Sequence, residues 1–337
     1  MTPDSGLYFG IDTSNYTTSA CAIDERGRIE FDMRKTLPVA HGERGLAQSE
    51  ALFGHLQALP QLLEHARAEI GDERLARGLR AVCVSDRPRP APDSYMPVFR
   101  AGVACAQALA TGGGAPLFTT THQHGHIYAG LRTAGLELGR GEAALCVHLS
   151  GGTTEVVRVV AGVADLELAP LTRDIDLHAG QFIDRVGVAL GLRFPAGPQV
   201  AELAASHDGP VPVIPAAVRA GCPSFSGPES AALRLIASGA PPSAVAAAVL
   251  RCVAASVEKM VRFAQAMGGD EIPLPVLLVG GVASNAWITS RLRHRFGDLS
   301  NSVPGAAPRI YACQPRFSVD NAYGVALAGL ARSTTVR

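Results

Sequence analysis

Apolar positions along the chain fall into two alternating periods. "LYFGID" (Leu7–Asp12) and "TTSACAID" (Thr17–Asp24) are short apolar runs joined by the polar turn Ser14-Asn15-Tyr16-Thr17-Thr18, and they predict a strand–turn–strand hairpin. "SEALFGHLQALPQLLEHARAEI" then places its apolar residues at helical spacing. "RAVCVSD" predicts a buried strand, "MPVFRAGVACAQALA" a helix stopping at Gly112-Gly113-Gly114, and "APLFTTT" a short strand leading into "HQHGHIYAGLRTA". The segment Leu145–Val160, "LCVHLSGGTTEVVRVV", is a second hairpin, hinged on Ser150-Gly151-Gly152-Thr153-Thr154. The helix "GQFIDRVGVALGL", a Pro/Gly-rich stretch from Phe194 to Pro228 and two further helices to Met267 follow. "PVLLVGGVASNAWITSRL" reads as strand, Gly-Gly turn and helix, and a strand near "RIYACQP" precedes the helix "DNAYGVALAGLA". Strands and helices alternate throughout, which predicts an α/β fold.

The two hydroxyl-rich turns echo one another in the same strand–turn–strand setting. Shared turn preferences explain such an echo, and so does a duplicated fold with a ligand clasped between its halves. Backbone N–H groups and hydroxyls in such turns form anion-binding concavities.

At 337 residues the chain is long enough for two lobes with separate cores. Formal net charge is zero, so nothing global advertises a nucleic-acid partner. Arginine clusters at Arg87 and Arg89 and at Arg291, Arg293 and Arg295 are the local candidates for one. The seven cysteines are dispersed and form no CxxC pair, which fits buried thiols in a reducing cytoplasm. No signal peptide or bilayer-spanning run is expected. Only Lys35 and Lys259 are lysines, and neither sits in a Walker A loop.

Three constellations carry chemistry. Gly280-Gly281, after the strand "LLV", either forms a tight strand–helix corner or lets a ligand approach the backbone at a helix N-terminus. His122 and His126 are four apart, so on a helix they share a face and suit one metal ion, while His124 points elsewhere. The alternative is a solvated helix start. A metalloprotease would need a glutamate where Gln123 stands. Asp320 fits either as the third ligand or as the N-cap of the last helix. Asp184 lies mid-helix among apolar residues, where it either pairs with a neighbour such as Arg185 or binds a ligand hydroxyl beneath the Gly197 loop.

Taken in order, "FGIDTSNYTTSA", "HQHGH", "HLSGGTTEV", "AGQFIDRVGVALGLRFPAGP", "SFSGPESA", "LLVGGVASN" and "VDNAYGVALAG" resemble the motifs of the threonylcarbamoyladenosine synthase family. That family, TsaD in bacteria, was once labelled O-sialoglycoprotein endopeptidase or Gcp. The resemblance runs nearly the whole chain. It implies an actin-like, sugar-kinase-like two-lobed fold: residues 1–114 as the first lobe with helix 319–332 packed back on it, and 115–318 as the second, with nucleotide and metal at the cleft. It implies a divalent metal, iron or zinc, on His122, His126 and Asp320. It further implies an adenylate or ATP-type nucleotide on His148, Leu149, Ser150, Gly151, Gly152, Asp184, Gly197, Gly280, Gly281 and Asn285. The implied reaction moves a threonylcarbamoyl group from its adenylate to N6 of adenosine 37 in tRNA, with protein partners. The catalytic groups are left open, with Asp12 and Thr153 as candidates.

Departures cluster at the chemistry. Where typical members read "ETSCDET" this chain has Asp12 through Thr18, with Tyr16 and Thr17 in place of two acids. Thr153 replaces the histidine of "SGGHT", Glu229 the lysine of "SFSGLKT", and "SDRPRPAPDSYMP" a glycine-rich segment. These changes point to a divergent paralogue. It keeps the usual reaction, acts on another acceptor, or serves as a non-catalytic nucleotide-binding partner of a true synthase.

Overall fold

The structure, a computed structural model, describes residues 6–14, 16–38, 46–270, 272–302 and 307–335. Asn15, in the middle of the first hydroxyl-rich turn, lies outside the described residues. The chain divides into two compact units, the first comprising 1–133, 162–166 and 316–337 and the second 134–161 and 167–315.

In chain order the elements are β1 (Leu7–Ser14), β2 (Thr17–Ile23), β3 (Ile29–Thr36), α1 (Gln48–Ile70), α2 (Asp72–Gly78), β4 (Leu79–Arg87), α3 (Phe99–Gly113), β5 (Leu117–Thr121) and α4 (His122–Ala134). Next come β6 (Ala143–Leu149), β7 (Thr154–Ala161), β8 (Leu166–Arg173), α5 (Ala179–Ala189), α6 (Gly197–Ala205), β9 (Ala217–Arg219), β10 (Cys222–Ser224), α7 (Ser226–Ala237) and α8 (Pro242–Gly268). The remainder is β11 (Val276–Val279), α9 (Ala286–Ser302), β12 (Ile310–Ala312), α10 (Pro315–Ser318) and α11 (Tyr323–Thr335).

The first sheet has the order β3-β2-β1-β4-β5, with β1–β2 and β2–β3 antiparallel and β1, β4 and β5 parallel. The second has the order β12-β11-β6-β7-β8, with β6–β7 antiparallel and β6, β11 and β12 parallel. Read from its other end, the second sheet repeats the first, with β6 in the place of β1 and β11 in the place of β4. The two echoing turns close matching hairpins, at Ser14↔Thr17 and at Leu149↔Thr154. The echo is therefore one of topology as well as composition.

In the first sheet both faces are covered, because β1 is buried along its whole length. Leu7, Phe9, Ile11, Val82 and Val84 pack with Leu62 of α1 and Ala106 of α3, while Cys83, on the opposite face of β4, packs with Val325 and Ala328 of α11. In the second unit Leu145, Val147 and Leu149 of β6 meet Phe182 of α5 and a row of small residues on α8.

β5 extends the first sheet and leads directly into α4, and the first unit runs on to Thr133. Gly114 is the left-handed C-cap of α3. β3 and β8 add to the strands that the apolar pattern predicts. Both ("IEFDMRKT", "LELAPLTR") mix charges into a half-exposed alternation, as edge strands do. All seven cysteines are free thiols. Among the described residues no helix is long and apolar enough to cross a membrane.

Candidate functional site

The first unit gathers one cluster of donor atoms. β5 ends at Thr121 and α4 starts at once, which puts His122 and His126 one turn apart on the same helix face. Their Nε2 atoms lie 3.1 Å apart, and Asp320 Oδ1 lies 3.4 Å from that of His122 and 3.5 Å from that of His126. Tetrahedral ligation at ~2.0–2.1 Å puts ligand atoms about 3.3–3.4 Å apart, close to all three edges. Two imidazoles and a carboxylate form a donor set that suits zinc or iron. His124 points elsewhere: its Nδ1 meets Thr121 Oγ1 at 2.7 Å and its Nε2 meets Leu166 O at 3.1 Å.

Asp320 reaches the histidines because α4 and the start of α11 approach to backbone contact. A Cβ on Gly324 would stand 1.7 Å from Gly125 O, and one on Gly10 would stand 2.5 Å from Ala322 O. Asp320 does not cap α11. Asn321 does so, its Oδ1 accepting the Gly324 N–H at 3.2 Å, which leaves the Asp320 carboxylate for the histidines. The Asp320 backbone is held from β3: Arg34 Nη1 donates to Arg316 O at 2.8 Å and to Asp320 O at 3.4 Å. Buried Asp32 accepts from both Arg34 and Arg316, at 3.3 and 2.7 Å.

Behind His122 stands Asp12, fully buried on β1. Its two oxygens lie 3.1 and 3.2 Å from His122 Nδ1, Ser14 Oγ donates to Oδ2 at 2.6 Å, and Ser85 Oγ donates to Oδ1. Burial disfavours charge on the His122 ring, but Asp12 and then Asp320 outweigh it and push its pKa up to about 10. Burial also opposes ionisation of Asp320, yet hydrogen bonds and charge from His122 and His126 hold its carboxyl far below the usual range. Burial and the neighbouring His122 charge keep His126 below its ordinary value. The triangle thus concentrates negative charge against imidazole donors, and a divalent cation there would take the place of the extra proton.

The second unit brings together most of the remaining candidates, mainly through backbone. Gly280 (φ 96°) sits where a Cβ would be 2.3 Å from Leu149 O and 3.1 Å from His148 Cδ2. Val282 N donates to Leu149 O at 3.1 Å, and Gly180 N, in the first turn of α5, donates to Ser150 O at 3.2 Å. The turns after β6 and β11 and the start of α5 therefore meet at one place. Gly151, Gly152, Gly197 and Gly281 have no heavy atom within 4 Å of an added Cβ, so their faces are open. Asp184, one turn along α5 from Gly180, accepts the Ala196 N–H at 2.8 Å and fixes the loop entering Gly197, rather than pairing with Arg185. Burial raises its pKa against the opposing pull of the Ala196 and Gly197 amides. Asn285 Oδ1 accepts from Trp287 N at 3.0 Å and Ile288 N at 3.3 Å, capping α9. His148, buried on β6, faces Glu155 across the hairpin at 3.9 Å.

Comparison with known proteins decides the family. The model of the TsaD family, tRNA N6-adenosine threonylcarbamoyltransferase, matches residues 44–313. The chain belongs to the TsaD family. A relative of that name from Symbiobacterium thermophilum is 29% identical over 333 residues, covering 96% of this chain and 91% of its own. Another, from Prochlorococcus marinus, is 32% identical over 292 residues, covering 82% and 76%. Among solved structures, HypF of T. kodakarensis superposes with a TM-score of 0.61 at 15% identity, over 98% of this chain and 48% of that one. The (R)-2-hydroxyglutaryl-CoA dehydratase component A of Acidaminococcus fermentans superposes with a TM-score of 0.56 at 14% identity, over 98% and 99%. These structures share the fold, the two-lobed actin-like, sugar-kinase-like class that the motifs imply.

Within this TsaD member the departures have definite places. Thr17 is buried in β2 opposite Ser14, and Tyr16 O accepts the Leu37 N–H at 2.7 Å. Thr153 O accepts the Ser150 N–H at 2.8 Å, closing the glycine turn through its backbone. Glu229 pairs with Arg185 at 3.4 Å. The divergent segment after β4 touches the first turn of α4, where Pro88 O accepts the Gln123 N–H at 3.0 Å. Of the candidate nucleic-acid arginines, Arg87 pairs with Asp86, Arg295 pairs with Glu258, and Arg291 lies over the Trp287 ring.

Sequence reasoning passed over several groups. Asp176 accepts from Ser224 Oγ at 2.6 Å, from the N–H groups of Phe225 (2.8 Å) and Ser226 (3.3 Å) and from Ser226 Oγ, tying "SFS" to the entrance of α5. These contacts hold its carboxyl far below the usual range, against a partial burial that would raise it. Thr154 Oγ1 accepts the Ala179 N–H at 2.7 Å at the start of α5. Only the placement of "DIDLHAG" directly before a predicted helix signalled such tethers.

Proposed function

We propose that this chain transfers a threonylcarbamoyl group from its adenylate to N6 of adenosine 37 in tRNA, with a divalent iron or zinc ion held by His122, His126 and Asp320. The observation that carries this reading is the convergence of those three donors at metal-ligand spacing in a chain of this family. A bound ion would act as a Lewis acid towards the oxygens of the acyl phosphate anhydride. In the transfer, the N6 nitrogen attacks the carbamoyl carbon, the bond from that carbon to the bridging phosphate oxygen breaks, AMP departs and N6 gives up a proton.

The protein's own contribution is positioning. The open backbone at Gly151, Gly152 and Gly281 receives the adenylate phosphate, with Gly280 fixing the turn beneath it. Asp184 and the loop at Gly197 hold the ribose, for which an acceptor carboxylate held by backbone amides is suited. His148, Leu149 and Ser150 carry the strand end that presents the turn, and Asn285 fixes the start of α9. Arg293, exposed on α9, is a tRNA phosphate contact, and family partner proteins complete the cytoplasmic assembly.

A second reading keeps the adenylate and metal but changes the acceptor. It is favoured by the first hairpin turn, where Tyr16 and Thr17 stand in place of two acids, and by Glu229, which neutralises Arg185. Complementation of a synthase-depleted cell, with the tRNA nucleoside read by mass spectrometry, separates the two. Restored threonylcarbamoyladenosine supports the first reading; a stable, expressed chain that restores none points to another acceptor or a non-catalytic partner role.

A further inference from the structure

We infer that Asp12 is a positioning residue for the candidate metal site: it holds His122 in the one ring orientation that turns Nε2 towards Asp320 and His126. This rests on the reading that the triangle binds a divalent cation.

Asp12 is held firmly from its backbone outwards. β1 pairs on both sides, with Asp12 opposite Ser19 of β2 and Ile11 beside Val84 of β4, so its backbone has no freedom. Its carboxylate is fully buried. Ser14 on its own strand and Ser85 on β4 each donate a hydroxyl, one to each oxygen. An ionised buried carboxylate needs such donors to offset lost hydration. Buried, with a hydroxyl on each oxygen, the group is not presented to a substrate, and each oxygen keeps a lone pair for one further donor.

One further donor remains. His122 Nδ1 lies almost equally far from the two oxygens, at 3.1 and 3.2 Å. A carboxylate is acceptor-only, so Nδ1 carries the hydrogen and the lone pair belongs to Nε2. An imidazole has one soft rotation about Cβ–Cγ, and anchoring Nδ1 stops it. His126 reaches the same triangle from the next turn of α4, its Nε2 3.1 Å from that of His122 and 3.5 Å from Asp320 Oδ1. His122 is therefore oriented by a fixed anion, which also makes it a more basic donor.

A purely structural Asp12 would affect folding, whereas a positioning Asp12 must affect metal affinity. The full chain, stripped of metal, is titrated with Zn2+ against a competing chelator and with Co2+ to read its ligand-field bands. Asp12→Asn keeps the size and one acceptor oxygen but removes the charge. Its Zn2+ dissociation constant is expected to rise about 10–100-fold, with displaced Co2+ bands. Ser85→Ala leaves the carboxylate but loosens it, and a rise of about 2–5-fold is expected, the smaller end for an indirect contact. Both variants binding Zn2+ within about twofold of the unaltered chain would overturn the inference. If Asp12→Asn lacks a native circular dichroism spectrum, Ser85→Ala and Ser14→Ala decide alone, and unchanged affinity in both overturns it. An unaltered chain that binds neither cation overturns the metal reading, and this inference with it.

Discussion

In the first unit the candidate site is made of side chains: His122, His126 and Asp320, with Asp12 and Arg34 behind them. In the second it is made of backbone: turns at Gly151–Gly152 and Gly280–Gly281, with Asp184 as the main carboxylate. The two regions repeat one sheet topology, so the contrast is not one of architecture. It shows where each tolerates change. A side-chain site fails when a donor is lost or when the elements carrying it are pushed apart. A backbone site fails when a Cβ enters the wrong place, and survives otherwise.

The largest effect expected from that contrast is at Gly324. Alanine there would drive a Cβ into Gly125 O, and the backbones of α4 and α11 must separate. Gly324→Ala should cost on the order of 3 kcal/mol or more and abolish stoichiometric Zn2+ binding, read by thermal unfolding and metal analysis. Gly125→Ala meets Val325 Cγ2 at 3.1 Å and Val325 N at an ordinary 3.7 Å, and should cost about 1 kcal/mol or less. Equal effects would mean that the helix contact does not build the site.

Next in size is the pair Gly280 and Gly281. Gly280→Ala places a Cβ against Leu149 O at φ 96° and should destabilise the second unit by about 2–3 kcal/mol. Gly281→Ala meets nothing within 4 Å, so stability should stay within about 0.5 kcal/mol. If its open face receives phosphate, adenylate affinity measured by calorimetry should nevertheless fall about tenfold, on the order of the 1–3 kcal/mol of one unmade buried contact. Unchanged affinity would remove Gly281 from the cradle.

Arg34→Ala should weaken Zn2+ binding by about 5–10-fold with the fold intact, since it releases the backbone of Asp320 but leaves the carboxylate. The smallest effect is at Asp176. Its folded-state pKa is depressed, so its contribution is present above the unfolded value of ~3.9 and disappears as the pH falls towards the folded one. Asp176→Asn should lower stability by about 1 kcal/mol near neutrality, discounted for exposure, and the gap to the unaltered chain should close below about pH 4. A gap constant down to pH 2 would mean that the charge is not what ties "SFS" to α5.

The sequence made some of this legible, for physical reasons. Continuous apolar runs such as "LYFGID" mark strands covered on both faces, and the i, i+4 spacing of His122 and His126 sets a shared helix face without any tertiary knowledge. The echo between the two turns disclosed the duplicated sheet. Less visible were the edge strand β3, whose charges hide its alternation, and α6, which starts within "FPAGP" with Pro198 in its first turn. What escaped entirely depends on contacts between distant positions. Asp12 meets His122 across 110 residues and Arg34 meets Asp320 across 286, and no local pattern announces either. The Gly125–Gly324 contact is equally silent, because a glycine inside a helix looks locally like a defect. Asp320 was readable as cap or ligand, and only the placement of Asn321 separates the two.

Metal stoichiometry shows whether His122, His126 and Asp320 together hold one divalent cation. Purified chain reconstituted with Zn2+ or Fe2+ and passed through a desalting column should retain one equivalent, while His122→Ala, His126→Ala and Asp320→Ala, each folded by circular dichroism, should each retain less than about a tenth of that. Retention of a full equivalent by any of the three folded variants would contradict the assignment.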